Sequence, residues 1–218
     1  QFVNVYTKNP SKLLPRPVSI CEADNDSIRL VYRVTGKDTG TAEFSKLEAG
    51  DDIKLLGPLG NGFPTDSISS ILIGGGIGIP PMLELAKKLE GEKITVLGFR
   101  DSDTFLVDDL SQYGRVYIAS EDGSIGTKGN VLDAVRKNNL NAKRILACGP
   151  APMLRAIKKY AFENNIECFL SLEEKMACGI GACLACTCKS SEIDSHSKVK
   201  NKRVCTEGPV FNAFEVEL

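Results

Sequence analysis

Hydrophobic and polar positions alternate with a period of two through the first third of the chain. Phe2–Tyr6, Ile28–Val34 and Asp52–Leu56 each read as a short strand, with Val, Thr, Tyr and Ile abundant and turn residues at short intervals. That pattern predicts a small antiparallel β-barrel over residues 1–65. A polar break, Asp66-Ser67-Ile68-Ser69-Ser70, follows, and the period then changes. Ser70–Ile73, Ile94–Phe99, Arg115–Ala119, Arg144–Ala147 and Glu167–Leu170 are apolar runs of strand length. Met82–Leu89, Val131–Lys137 and Pro152–Asn164 carry apolar stripes at helical spacing. Strands alternating with helices predict βαβ units and a parallel sheet over residues 66–170. From 171 to 218 the chain is rich in Gly and Cys and reads as loop. The expected fold is a β-barrel plus α/β, followed by a Cys-rich tail.

Composition narrows the functional classes. Lys and Arg number 27 against 28 Asp and Glu, so the net charge of −1 offers no basic stripe for a nucleic acid. Hydrophobic residues make up 42% of the chain, enough for a real core, but no run is long enough to cross a membrane as a helix. The start, Gln1-Phe2-Val3-Asn4-Val5, lacks a basic then apolar leader, and without an initiator Met it reads as a trimmed chain. His196 is the single histidine, which disfavours histidine-based catalysis and His-rich metal sites. Five of the eight Cys fall in the last fifth of the chain. Such clustering points to a reducing compartment and a metal site rather than a disulfide framework. Cys21, Cys148 and Cys168 are scattered and read as buried, inert thiols.

Three motifs carry candidate chemistry. Cys178-x4-Cys183-x2-Cys186-x18-Cys205 has the plant-type [2Fe–2S] ferredoxin spacing. Gly179 and Gly181 give the loop its freedom, and Cys188 is read as a non-ligand. Structural zinc is the alternative occupant of four thiolates. Gly74-Gly75-Gly76-Ile77-Gly78, between a strand and a helix, suits a phosphate cradle, with Pro80 and Pro81 in the first helical turn. The alternative is a plain strand-to-helix turn. After the next strand, Asp101 suits a ribose 2′-hydroxyl and Arg100 a 2′-phosphate, which are opposite forecasts for NAD and NADP. Arg16-Pro17-Val18-Ser19 taken alone reads as an exposed loop.

In this order the three segments resemble the ferredoxin-NADP reductase superfamily. Within it the chain is most similar to the electron-transfer subunits of type B dihydroorotate dehydrogenases. The resemblance is carried by Arg16–Ile20, Tyr32-Arg33-Val34, Gly57–Phe63, Glu121–Ser124 with Gly126–Gly129, Cys148–Met153, Glu174–Cys183 and Val204–Phe211. It implies FAD contacts at Arg16, Pro17, Val18, Ser19, Arg33, Val34, Thr35, Gly40 and Thr41. It implies NAD(H) contacts at Gly75, Gly76, Gly78, Cys148, Gly149, Pro150 and Met153, and cluster ligands at Cys178, Cys183, Cys186 and Cys205. The first barrel strand is absent by that pattern. Asp38 departs from an expected Gly-Lys-Gly-Thr loop, and Lys189–Lys202 is long and polar.

The resemblance also implies a cytoplasmic electron-transfer role in pyrimidine biosynthesis, with no catalytic acid or base. Electrons would pass between NAD+ and an FMN-containing dihydroorotate dehydrogenase catalytic subunit, as a heterotetramer of two of each. Ser190–Lys202 reads as a solvated loop open to a partner. The runner-up is a subunit of another complex, of ferredoxin:NADP oxidoreductase or sulfhydrogenase type. A stand-alone flavin reductase with a vestigial cluster and a zinc-stabilised interaction module are the remaining alternatives.

Overall fold

The computed structural model describes residues 1–193 and 198–218; His196 and the middle of the Ser190–Lys202 segment lie outside the described residues. The alternating first third forms β1 (Phe2–Tyr6), β2 (Arg16–Ala23), β3 (Ile28–Leu30) and β4 (Lys54–Leu59). These make one antiparallel sheet in the order β3-β2-β1-β4. Val3, Val5 and Val18 face a small core that Phe44 closes from the five-residue helix α1 (Gly40–Phe44). Phe2 pairs with Ser19 and Asn4 with Pro17 across β1 and β2. Successive side chains alternate between faces, so these four point to the other side of the sheet.

Three details differ from the alternation, the first being that β4 runs Lys54–Leu59 rather than Asp52–Leu56. Arg16–Ser19 opens strand β2 instead of lying in an exposed loop. β3 ends at Leu30 rather than Val34, and the chain then leaves the sheet, with Val31 packing into the core beneath the second domain.

That second domain is built on β5 (Ser70–Gly75), β6 (Lys93–Phe99), β7 (Arg115–Ser120), β8 (Thr127–Lys128), β9 (Arg144–Cys148) and β10 (Glu167–Ser171). Its helices are α2 (Pro80–Lys88), α3 (Val107–Ser111), α4 (Val131–Lys137) and α5 (Ala151–Glu163). The strands run parallel in the order β10-β9-β5-β6-β7-β8. Both faces of the sheet are buried. Ile71, Ile73, Val96, Ile145 and Ala147 pack beneath α4 and α5. Leu72, Leu97 and Leu146 pack beneath α2 and α3. Asn130 caps α4 reciprocally: its side chain accepts from the Leu132 and Asp133 amides, and Asp133 accepts from the Asn130 amide at 2.8 Å.

The Cys-rich tail is not all loop. β11 (Thr187–Lys189) pairs with β12 (Asn201–Arg203), and β13 (Val210–Asn212) adds antiparallel to β10 at the sheet edge. Cys186, Cys188, Val204, Cys205, Phe211, Ala213 and Val216 join the α4–α5 core, which also takes in Phe2 of β1. The tail therefore borrows its core from both domains. Phe211→Ala is expected to lower stability by about 3–5 kcal/mol, the usual loss for a buried Phe, seen as a lower urea midpoint.

Candidate functional site: a glycine-lined crevice, an arginine–threonine group and four thiols

β5 and β9 are neighbours, yet their connections diverge: α2 leads to β6 on one side and α5 to β10 on the other. Such a switch point leaves a crevice at the carboxyl ends of the strands. Gly75, Gly76 and Gly78 line one wall of it and Cys148, Gly149, Pro150 and Met153 the other. A Cβ on Gly75 would stand 2.5 Å from the Met153 sulfur, and one on Gly78 would overlap the Cys148 carbonyl. At Gly78 only glycine lets the two backbones approach this closely. Pro80 and Pro81 take the first positions of α2, where no amide is needed. Arg100 and Asp101 follow the end of β6 beside this crevice, and the Asp101 carboxylate accepts from the Asp103 amide at 2.8 Å. Burial pushes the Cys148 thiol up to about 11, so it stays protonated at neutral pH.

The antiparallel sheet supplies a second group. The Arg16 side chain lies across Gly40, where a Cβ would come within 2.9 Å of Nε. Next to it the Thr41 hydroxyl accepts from the Thr35 amide at 3.1 Å and contacts the Thr35 and Thr39 hydroxyls. Thr39 caps α1 by accepting from the Ala42 amide. Arg16, Thr35, Gly40 and Thr41 are thus brought together. Arg33 reaches the other way, with Nη2 3.6 Å from where a Cβ on Gly76 would lie, so it stands between this group and the crevice. Pro17 and Ser19 share the outer face with Asn4, and Val34 is exposed, whereas Val18 turns into the small core. Asp38 is tied by its carboxylate to Lys12, which anchors the loop before Arg16 to the loop before α1.

The four thiols form the third group. Cys183 lies near Cys178, and Cys186 near Cys205. Among the described residues no three Cys, His, Asp or Glu side chains close around one point as ligands of a single ion. Two adjacent thiol pairs suit a two-iron cluster, each iron taking two thiolates. The Ile180 amide points at the Cys178 sulfur at 3.4 Å, and with help from the Cys183 and Ala182 amides it brings that thiol down to about 6. Burial, reinforced by Cys186, pushes Cys205 up to about 11. Cys188 sits on β11 in the shared core, where burial raises its pKa. Cys21 and Cys168 are fully buried, pushed to about 11 and about 12.

These groups have counterparts in known proteins. Residues 173–217 match the model of the iron–sulfur cluster binding domain of dihydroorotate dehydrogenase B. The dihydroorotate dehydrogenase B (NAD(+)) electron transfer subunit of Geobacillus sp. (strain WCH70) is 44% identical, over 100% of this chain and 86% of its own. The chain belongs to this family of electron transfer subunits. The Listeria monocytogenes (strain EGD-e) member is 43% identical over 100% of this chain and 87% of its own. Among solved structures, one described as an NADH-dependent reduced ferredoxin-NADP oxidoreductase superposes with a TM-score of 0.87. It is 29% identical and covers all of this chain and 78% of its own. The flavohem-like FAD/NAD-binding domain of a Vibrio cholerae nitric oxide dioxygenase shares the fold at 16% identity, with a TM-score of 0.62 over 76% of this chain and 79% of its own.

One residue that the family motifs do not include touches the thiol loop. Asn4 of β1 donates from Nδ2 to the Cys178 carbonyl at 3.2 Å, across 174 positions of sequence. No local pattern announces such a contact.

In the metal-free protein, Cys178 is expected to alkylate as a thiolate. Its lowered pKa means that reactivity rises with pH through a midpoint near 6, while Cys205 stays inert until about 11. Iodoacetamide labelling followed by mass spectrometry over a pH series measures both.

Proposed function

We propose that the chain relays electrons between NAD(H), bound in the β5–β9 crevice, and a catalytic subunit that oxidises dihydroorotate to orotate. The observation that carries this reading is the full-length match to the electron transfer subunits, joined to a cluster-binding segment over residues 173–217. Family membership makes the chain part of an NAD-linked oxidoreductase that uses FAD, a [2Fe–2S] cluster and NAD(H), and it implies a catalytic partner subunit. The FMN of that partner, an assembly of two copies of each and a cytoplasmic setting belong to our proposal. Among the described residues no helix is long and apolar enough to cross a membrane. We divide the chain into residues 1–65 for FAD, 66–170 for NAD(H) and 171–218 for the cluster.

FAD supplies the conversion between a two-electron hydride and single electrons, and the cluster passes single electrons. The chain's own residues bind and orient. Arg16 at the glycine edge of α1 suits a diphosphate, with Thr35, Gly40 and Thr41 fixing the loop beside it. Pro17, Ser19, Arg33 and Val34 would complete the flavin site, Pro17 and Ser19 from the sheet face that carries Asn4 and Arg33 from beside Gly76. Gly76, open but for Arg33, would let a nucleotide lie against bare backbone, while Gly75 and Gly78 let Met153 and the Cys148–Gly149 backbone pack close beside it. A neutral Cys148 beside that site offers no thiolate to compete for a hydride acceptor. Cys178, Cys183, Cys186 and Cys205 hold the cluster.

A second reading is favoured by the superposition on the ferredoxin-NADP oxidoreductase structure, namely a subunit of another NADH-linked complex. Co-purification with an FMN protein that oxidises dihydroorotate separates the two.

An anaerobic visible spectrum tests the relay. Flavin bands with a broad red-brown shoulder, both bleaching on addition of NADH, are expected. A colourless protein, or yellow flavin without iron absorption, sinks the reading. Cys183→Ser is expected to abolish bound iron, and Cys188→Ser to leave it unchanged, in an iron assay of purified protein. The reverse pattern overturns the ligand assignment.

A further inference from the structure

Asn4 is fully buried on β1, and its carboxamide is only half satisfied. Nδ2 donates to the Cys178 carbonyl, while Oδ1 has no hydrogen-bond partner. An unpaired buried carbonyl lowers stability, and an apolar side chain of similar shape avoids that loss. Folding alone therefore does not call for an amide here. The site it touches does. Gly179 follows Cys178 at φ +74°, and any Cβ there would overlap Asn4 Nδ2, so the loop is seated directly on this side chain. Holding the Cys178 carbonyl fixes the plane of the 178–179 peptide. From that plane the turn continues to the Ile180 amide, which points at the Cys178 sulfur at 3.4 Å. Asn4 also pairs with Pro17 on β2 and shares a sheet face with Ser19, the face assigned above to the flavin.

We propose that Asn4 is a positioning residue for the cluster: from the flavin-bearing sheet, its Nδ2–H clamps the Cys178 carbonyl and keeps the Ile180 amide aimed at that ligand sulfur. This rests on the cluster assignment made above. Amide donors to a ligand sulfur stabilise the reduced, more negative cluster and raise its potential. Releasing the clamp lowers it.

The test is a spectroelectrochemical titration of the FAD- and iron-loaded protein, with electron paramagnetic resonance of the reduced cluster, for wild type and Asn4→Leu. The expected result is a more negative cluster midpoint, shifted g-values and an unchanged flavin midpoint. The ratio of reduced to oxidised cluster at a fixed potential should fall about fivefold, as expected for one lost hydrogen bond. Thermal stability of Asn4→Leu should match or exceed wild type. Unchanged cluster midpoint and g-values, or equal shifts of both midpoints, overturn the proposal. Asn4→Ser, too short to reach the carbonyl, is titrated alongside in case Asn4→Leu binds no iron. Loss of iron from both variants with the fold retained by circular dichroism makes Asn4 an assembly residue and also overturns it. A wild-type protein without iron or flavin defeats the cluster assignment itself, a result visible before any variant is made.

Discussion

The antiparallel addition of β13 to β10 is the contact on which the rest of the assembly depends. The Cys-rich tail has too few apolar residues to fold around a centre of its own. It solves this by donating an edge strand to the parallel sheet and sinking Phe211, Val204 and Ala213 into the core beneath α4 and α5. Backbone hydrogen bonds from Leu172 to Pro209 and from Ala213 to Cys168 tie both ends of the join. Phe2 of β1 enters the same core. One hydrophobic interior thus locates three segments far apart in sequence, and the thiol loop is placed by the sheet rather than by its ligands.

Sequence patterning revealed the α/β part because its signals are local. Ile71–Ile73 and Ile145–Ala147 are apolar on both faces, as strands covered on both sides must be, and glycines or helix caps bound them. The observed α2, α4 and α5 fall within two residues of their stripes. Where pairing rather than periodicity decides, the pattern was silent or overlong. β2 mixes Pro, Ser, Cys and Glu and is a strand because β1 and β3 flank it. β3 stops early because Val31 is drawn into another core. α1 and α3, each five residues, are too short to show a helical period. The Cys spacing was legible because three of its four thiols lie within nine residues. The contact of Asn4 with that loop was not, since only the folded chain brings β1 there.

The thiols show how strongly surroundings set chemistry for a single residue type. Cys168, enclosed by apolar neighbours, is pushed up to about 12, whereas Cys178, ringed by amides, falls to about 6. The contrast follows burial rather than ligand assignment: Cys205, a ligand candidate, is pushed up to about 11 like Cys21 and Cys148. Cys188, only two residues from Cys186, is carried by β11 into the same core that takes in Cys186 and Cys205.

Helix α2 begins at the glycine loop and then runs along β2. Glu84 accepts from the Ala23 amide at 3.1 Å, Lys87 pairs with Glu22 and Asp24, and Cys21 lies in the core beneath the helix. The opposite end of β2 carries Arg16. One continuous run of contacts therefore spans the glycine loop and the strand that carries Arg16, so the two sheets are joined by packing as well as by the connecting chain.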